Sequence, residues 1–345
     1  MGEKMGQKFF SGGEGFHNYF DGILPVWERL ERFFIIKGGP GVGKSTLMKR
    51  VAAMAEEAGE ETEYFYCSGD PDSLDAIRLV KRGILFADGT APHCMDPVFP
   101  AGDGRRAAQN AVEEILNLGE QIDRKRIIKY REEVEGLTKQ NKLSYRRAYA
   151  YLKAAAALEE ERYLEVSACL DQKKLKKRLE EITEEKGEHG EKQTRKLFLD
   201  AITCKGRVCF AERMAQRGDC VKVTGDYAGV VLDTASRMLS GGKQELFCNP
   251  LLPLKVNHVY LPEQGKFLTS GEISGGAEVS GADFMAKACH ENAGQCHAEA
   301  QKLTEAAMLC LKECKRLHDE LEECVDFARV SERTEELLET VGFIE

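Results

Sequence analysis

The amino-acid sequence predicts an α/β fold of two similar cores in tandem, each a parallel sheet flanked by helices, with long helical insertions. Three observations carry this prediction. An apolar strand, a glycine-rich loop and a helix follow one another near residue 40. The order of elements in residues 8–88 recurs in residues 196–270. Two further segments are charged, rich in Leu and Ala, and poor in strand-forming residues. With 345 residues, the chain is long enough for more than one core.

The glycine-rich loop satisfies the pattern G-x-x-x-x-G-K-S in the structural context that this pattern requires. The apolar run Phe33–Ile36 before it is typical of a buried parallel strand, and residues 47–58 after it have helical apolar spacing. The motif consists of Gly38, Gly39, Pro40, Gly41, Val42, Gly43, Lys44, Ser45 and Thr46. Strand, loop and helix together predict a P-loop. The alternative is a glycine-rich turn that caps a helix.

Each residue type in this loop has a chemical reason in nucleotide binding. Glycines let backbone N–H groups turn towards phosphate oxygens, and the helix N-terminus adds partial positive charge. Lys44 is the expected contact to the β- and γ-phosphates, and the Ser45 hydroxyl is an expected Mg²⁺ ligand. The sequence has no N/T-K-x-D segment for reading guanine at a suitable position. ATP and Mg²⁺ are therefore the predicted ligands.

A carboxylate that completes the Mg²⁺ site is predicted at Asp88. A second strand over residues 62–67 is followed by a hairpin that pairs residues 76–80 with 84–87, and the hairpin runs into Asp88. Four apolar residues before an Asp form the Walker B pattern, in which a carboxylate at a strand end holds Mg²⁺. Ser45 and Asp88 are thus the predicted metal ligands, and Lys44 and Asp88 are predicted catalytic residues.

The sequence leaves the catalytic base open. Motor-type ATPases place a Glu after the Walker B Asp, whereas Gly89 follows Asp88 here. Asp70, Asp72 and Asp75 lie in the acidic loop after the second strand, where a P-loop kinase would have a substrate-facing carboxylate. The other candidates are His93 and Asp96. Residues of these types also initiate turns and cap helices, which is the alternative interpretation of each.

The second core follows the order of the first but lacks its functional residues. Cys220–Val223 is expected to match the strand before the P-loop, and aligning Gly229 with Gly43 puts Val230 at the position of Lys44. The other aligned replacements are Val231 for Ser45 and Ser270 for Asp88. The sequence therefore predicts tandem P-loop NTPase cores with one active nucleotide site and a degenerate second repeat. The alternative is a chance similarity between two generic α/β units.

These patterns divide the chain into four segments. They are a P-loop domain over residues 1–104, a helical insertion or hairpin over 105–190, a degenerate second domain over 191–283 and a C-terminal helical segment over 284–345. Apolar stripes at helical spacing support both helical segments. We expect these segments to contact a protein partner or a second copy of the chain, and their charged runs to be solvated helix faces.

Two further patterns are given a structural interpretation. Leu239–Gln244 resembles the ABC-transporter signature LSGGQ, but it closes the helix after the degenerate loop, so its glycines are expected in a helix C-cap and turn. Cys310, Cys314 and His318 share one helix face. Paired CxxC ligands are absent from the sequence, so packing along a helical seam is expected there in preference to zinc.

Composition excludes several classes of function. The formal net charge of −9 argues against a general nucleic-acid binder, because binding phosphates requires clustered Lys and Arg. No stretch approaches the ~18 apolar residues of a membrane span. The first ten residues lack the apolar core of a signal peptide, and the 12 cysteines lack the spacing of a disulfide framework. The sequence therefore predicts a cytoplasmic protein with free thiols and no membrane partner.

Three segments resemble a family of bacterial ATPases, common in Firmicutes, that is built of tandem P-loop domains. The segments are Gly38–Thr46, Cys67–Asp75 and Asp88–Pro97, and the resemblance extends over nearly the whole chain. It implies an AAA-like P-loop NTPase. Relatives are expected to keep a lysine-containing glycine-rich loop in both halves, and this sequence departs from that expectation at Val230.

The sequence thus predicts an ATPase or ATP-driven switch in which the second core and the helices transmit the change or contact a partner. The first alternative is a small-molecule kinase in which Asp70 or Asp72 activates an acceptor hydroxyl. The second alternative is a nucleotide-sensing scaffold without turnover. Arg105 and Arg106 are candidate arginine fingers, although nothing in the sequence distinguishes them from surface charge.

Overall fold

The computed structural model describes residues 6–11, 30–90, 95–97, 111–121, 124–183, 191–286 and 291–323, together with Glu339. These residues form two six-stranded sheets, a two-stranded hairpin, and helices that pack on the sheets. Both sheets are mostly parallel. The predicted α/β class is therefore confirmed.

The first sheet positions the glycine-rich loop. Its strands are β1 (Gln7–Phe10), β2 (Arg32–Lys37), β3 (Thr62–Tyr66), β4 (Leu74–Leu79), β5 (Ile84–Asp88) and β6 (Val112–Asn117). Their order is β1-β3-β4-β5-β2-β6, and β4 alone runs antiparallel to its neighbours. Helix α1 (Lys44–Glu57) follows β2 and buries an apolar face on the sheet. The strand, the loop, the helix and the hairpin lie where the sequence predicted them.

The second sheet repeats this topology. Its strands are β7 (Gln193–Leu197), β10 (Asp219–Thr224), β11 (Lys243–Cys248), β12 (Val256–Leu261), β13 (Lys266–Thr269) and β14 (Ala277–Ser280); the separate hairpin is β8 (Asp200–Thr203) and β9 (Gly206–Cys209). The order β7-β11-β12-β13-β10-β14 matches the first sheet strand for strand, with β12 antiparallel to its neighbours. Even the irregularity near the end of β3, between Phe65 and Tyr66, recurs in β11 between Phe247 and Cys248.

Each sheet with its helices forms one unit, and the two units differ at the loop that follows β2 in the first and β10 in the second. Six residues, Gly38–Gly43, separate β2 from α1, whereas only Gly225–Tyr227 separate β10 from helix α6 (Ala228–Met238). Val230 and Val231 therefore lie within the first turn of α6 and are buried, whereas Lys44 is the first residue of α1. The alignment of Val230 with Lys44 was wrong in register, because the second loop is shorter than the first.

Strand β6 lies inside the segment that the sequence assigned to helices. It pairs with β2 at the edge of the first sheet, and Arg32 on β2 donates hydrogen bonds to Glu114 on β6. Val112 and Ile115 are half-exposed on this edge strand. Two adjacent glutamates interrupt the alternation of polar and apolar residues that identifies a strand in sequence.

Helices follow each sheet, and the two longest have 37 and 33 residues. They are α2 (Arg124–Lys129), α3 (Arg131–Ser167) and α4 (Gln172–Thr183) after the first sheet, and α7 (Glu291–Glu323) after the second; a short helix α5 (Ala211–Met214) precedes β10. Late residues of α3 meet early residues of α7: Asn292 donates to Glu165, and His297 bonds to Glu159. Helices α3 and α7 therefore form an antiparallel pair. The hairpin was expected within residues 105–190, whereas the observed pair joins two helices that are distant in sequence.

The two sheets share a core at their edge strands. Phe10 at the end of β1 donates its backbone N–H to Phe198, just after β7, at 2.8 Å, and the rings of Phe9 and Phe247 stack at 6.2 Å. Buried Arg195 on β7 binds Glu63 on β3 through two hydrogen bonds of 2.8 Å. The two units thus bury apolar and charged residues against each other.

The segment Leu239–Gln244 follows a helix and contains a turn, as predicted, but its C-cap is Leu239 and not a glycine. Helix α6 ends at Met238 with Leu239 as its C-cap, and Gly242 has a φ of 82° in the turn before β11. A left-handed backbone conformation of this kind favours glycine. Among the described residues, no helix combines the length and apolar composition that crossing a bilayer requires.

Candidate functional site

A cavity lies at one edge of the first sheet. Strands β1, β2, β3 and β5 are parallel, so their carboxyl ends lie on the same side of the sheet. The antiparallel strand β4 begins on that side. The cavity has a volume of about 520 Å³, and residues 41–46 of the glycine-rich loop and helix line it. Ligands of open α/β sheets bind at the carboxyl ends of strands, so this cavity is the candidate site.

The backbone of the loop depends on its glycines. Gly38, Gly41 and Gly43 have φ angles of 152°, 77° and 82°, in a region that side chains rarely adopt. Gly43 is the N-cap of α1 and has no side chain to bond the free N–H groups of the first turn. These N–H groups and the helix dipole therefore face the cavity, where they favour an anion.

Lys44 and Asp88 come together as the sequence predicted. The Lys44 ammonium donates hydrogen bonds of 2.9 Å to the carbonyl oxygens of Gly38 and Gly39, and it lies 3.6 Å from a carboxylate oxygen of Asp88. The second Asp88 oxygen accepts from the backbone N–H of Thr90 at 2.8 Å and from its hydroxyl at 2.5 Å. One oxygen of the Asp88 carboxylate is thus held by Thr90, while the other oxygen points towards Lys44.

The predicted metal ligands fit a hard cation. Ser45 and Asp88 both line the cavity and offer a hydroxyl and a carboxylate oxygen. Mg²⁺ takes such oxygens and keeps several waters, so two protein ligands beside a phosphate are sufficient. In this structure the Ser45 hydroxyl accepts from the N–H of Leu74 at 2.9 Å, which fixes the orientation of its oxygen.

The structure separates the two acidic candidates. Asp70 lines the cavity and lies 3.4 Å from the ammonium of Lys315 on α7. Asp72 is not among the described residues that line the cavity; it binds Lys205 in the β8–β9 turn, and its side chain is 60% exposed. The hydrogen bond from Lys205 lowers the pKa of Asp72. Of the two alternatives for a substrate-facing carboxylate, the structure therefore brings Asp70 to the cavity and leaves Asp72 outside it.

The remaining candidates are dispersed. Asp75 lines the cavity and accepts from Ser11 at 2.6 Å, while Asp96 pairs with Lys37 at 3.0 Å. His93, Arg105 and Arg106 lie outside the described residues. Within the described part of the chain, the three-residue groups with the spacing of a metal site are Asp200, Cys209 and His258, and His318, Asp319 and Glu322. Cys310 and Cys314 belong to neither group, and Cys314 is buried, in line with the predicted helical seam.

Sequence reasoning missed the contribution of helix α7 to the site. Leu311, Lys315, His318 and Glu322 recur every three or four residues and line the cavity together. The end of the helix lies on the loop itself: a Cβ placed on Gly41 would be 3.1 Å from the Glu322 Cα atom. The polar residues beside the apolar stripe of α7 were the signal, although they also fit a solvated helix face.

Burial affects the titration of several groups around the cavity. Desolvation raises the pKa of the Cys67 thiol and of the Tyr145 hydroxyl well above their usual values. Burial alone would lower the pKa of Lys315, but hydrogen bonds and attraction from Asp319 and Asp70 raise it. Lys315 is therefore a permanent cation at the cavity wall, whereas Cys67 and Tyr145 stay neutral near pH 7.

Comparison with known proteins gives one match. The family model described as "Nephrocystin 3, N-terminal" matches residues 26–101, which include the glycine-rich loop and strands β2 to β5. None of the curated proteins and none of the solved structures matches the chain. The similarity is thus to one part of the first unit and does not extend to the second sheet or to the long helices.

Proposed function

We propose that this chain binds a nucleoside triphosphate, ATP with Mg²⁺, at Gly38–Thr46. The single observation that carries the proposal is the position of Lys44 at the start of α1, beside a left-handed glycine loop and 3.6 Å from Asp88. This arrangement places N–H groups, an ammonium and a carboxylate around one cavity. A phosphate chain needs the first two, and its metal ion needs the third.

The residues of the loop have separate roles in this proposal. Backbone N–H groups of residues 41–46 hold phosphate oxygens, and Lys44 exchanges its contacts with the Gly38 and Gly39 carbonyls for the β- and γ-phosphates. Ser45 and Asp88 would hold Mg²⁺, which when bound would neutralise phosphate charge and polarise the terminal phosphate. The protein orients these groups through Thr90 and Leu74.

The tandem arrangement supports an ATPase or ATP-driven switch with one active site. In the second unit the corresponding loop is only three residues long, and α3 covers it: Arg162 donates to the carbonyl of Asp226. A Cβ on Gly229 would lie 2.6 Å from the Tyr163 hydroxyl oxygen, so this region is tightly packed. We infer that the second unit is a P-loop core that keeps the fold without a phosphate site and responds to the first.

A specific observation favours the kinase alternative. Asp70 faces the same cavity as Lys44, and no Glu follows Asp88 to orient a water molecule. In this alternative Asp70 accepts the proton of an acceptor hydroxyl, and Asp72 has no role. A sensor that binds ATP without turnover is the third possibility and has the same binding residues.

The test is Mg²⁺-dependent ATP binding and phosphate release for the wild type, Lys44→Ala and Asp88→Asn. Lys153→Ala, an exposed lysine on α3, is the matched control. We expect wild-type binding, its loss in Lys44→Ala, and weaker Mg²⁺ dependence in Asp88→Asn. Release of free phosphate identifies an ATPase, ADP formation with transfer of the phosphoryl group to an added acceptor identifies a kinase, and binding without ADP formation identifies a sensor. Absence of wild-type binding would refute the proposal.

A further inference from the structure

Helix α7 extends along the whole candidate site, although it belongs to the far end of the chain. Leu311 lies against Gly69 in the acidic loop, and Glu322 lies against Gly41 in the glycine-rich loop. At 1.5 Å per residue, these two positions are about 16 Å apart along the helix axis. The helix therefore bridges the acidic loop and the predicted phosphate loop, with Lys315 between them.

Lys315 is the cation that α7 brings to this cavity. Of the described lining residues, Lys44, Arg50 and Lys315 carry positive charge, and the first two belong to the loop and helix of the first unit. Lys315 contacts Asp70 at 3.4 Å and Asp319 at 2.5 Å, and its side chain is 31% exposed. It is thus partly desolvated, held by two carboxylates and directed at the site.

A bound triphosphate would add negative charge to a cavity that already has several carboxylates. Asp70, Asp75, Asp88 and Glu322 make the cavity wall acidic, and Mg²⁺ offsets only part of the charge that ATP adds. A terminal phosphate is a stronger partner for an ammonium than a single carboxylate such as Asp70, because its charge is larger and is spread over three acceptor oxygens. P-loop NTPases commonly use a cation from outside the loop for this purpose.

We infer that Lys315 of helix α7 binds the terminal phosphate of the bound nucleotide, releasing Asp70, and so makes the site prefer the triphosphate to the diphosphate. This inference rests on the proposed nucleotide site and adds a residue to it. Because α7 packs along α3, and α3 covers the short loop of the second unit, the contact also links the terminal phosphate to the second unit.

The experiment measures the Kd of ADP and of a non-hydrolysable ATP analogue, both with Mg²⁺, for the wild type, Lys315→Ala, Lys315→Arg and Lys312→Ala. Lys312 lies on the same helix, is exposed, and serves as the control. We expect Lys315→Ala to raise the Kd of the ATP analogue roughly 10- to 100-fold, the loss of one charge-assisted contact, with ADP unchanged. Lys315→Arg should keep most of the preference, and Lys312→Ala all of it.

Amide hydrogen exchange over residues 311–323 gives a second readout that a purely structural lysine would not change. The ATP analogue, but not ADP, should slow exchange there in the wild type and fail to do so in Lys315→Ala. If Lys315→Ala weakens both nucleotides equally, or neither, the inference is overturned while the nucleotide site stands. If the wild type binds neither nucleotide, the site is refuted and the inference with it. Circular dichroism of each variant excludes misfolding as the cause.

Discussion

The contact between α7 and the glycine-rich loop can be tested through two glycines with nearly the same backbone. Gly41 has a φ of 77° and Gly59, at the end of α1, has a φ of 75°. A Cβ on Gly59 would meet nothing within 4 Å, whereas a Cβ on Gly41 would lie 3.1 Å from the Cα atom of Glu322. Alanine therefore imposes the same backbone strain at both positions, but the contact with α7 at only one.

The expected magnitudes follow from this difference. Left-handed strain costs about 1–2 kcal/mol in either variant. Gly41→Ala must also displace the backbone of α7, and overpacking of this kind costs a further 1–3 kcal/mol. Urea unfolding of the nucleotide-free protein should show Gly41→Ala as the less stable variant. Amide exchange over residues 316–323 should be faster in Gly41→Ala and unchanged in Gly59→Ala. Equal destabilisation with unchanged exchange would refute the placement of α7 on the loop.

Other predictions concern charges and thiols. Asp200 is buried; desolvation alone would raise its pKa, but the charge and hydrogen bond of His258 lower it. Its stabilisation is therefore present above the unfolded pKa near 3.8 and is lost as pH falls below it, so Asp200→Asn should cost about 3 kcal/mol at pH 7 in thermal unfolding and less at pH 3. If the cost is the same at both pH values, the ion pair is not its source. Asp72→Asn should leave the Kd of ATP within about two-fold, since its side chain is exposed, and should change stability by less than about 1 kcal/mol. Asp70→Asn should change the kinetics of nucleotide binding or of acceptor phosphorylation more than Asp72→Asn does. A larger effect of Asp72→Asn than of Asp70→Asn would contradict the assignment of Asp70 to the cavity. Cys67 should react slowly with iodoacetamide at pH 8, because a raised pKa keeps its thiol protonated, and rapid labelling in mass spectrometry would contradict the raised pKa.

Local patterns were sufficient to predict the elements that position the site. The apolar run Phe33–Ile36, the glycine loop and the helical spacing after it are short-range signals, and each corresponds to an observed element. The meeting of Lys44 and Asp88 was also predictable, because parallel neighbouring strands end at one edge. The repeated strand order could be inferred because turn residues such as Gly83 and Gly265 keep the same spacing from their strands.

Features that depend on long-range packing were not predictable from the residues. Whether a polar residue on an amphipathic helix faces solvent or a distant cavity is decided by the helix that packs beside it, so Lys315 had no distinguishing local signal. Asp70 and Asp72 lie two residues apart in one turn but have different long-range partners, since Asp72 binds Lys205 and Asp70 lies beside Lys315 at the cavity. The register of the second loop was missed because a shortened loop leaves the periodicity of its helix unchanged.

The short loop in the second unit would make a phosphate site difficult to introduce there. Point mutations that introduced Lys at Val230 and Ser at Val231 would place polar groups in the core, because these side chains are 0% and 1% exposed. The backbone that surrounds a phosphate would still be missing, since three residues cannot form the six-residue turn of the first unit. A loop of that length would require an insertion together with removal of Arg162 and Tyr163 from the space that it would occupy. The difference between the two units is therefore one of loop length and packing, and single substitutions cannot make the two loops equivalent.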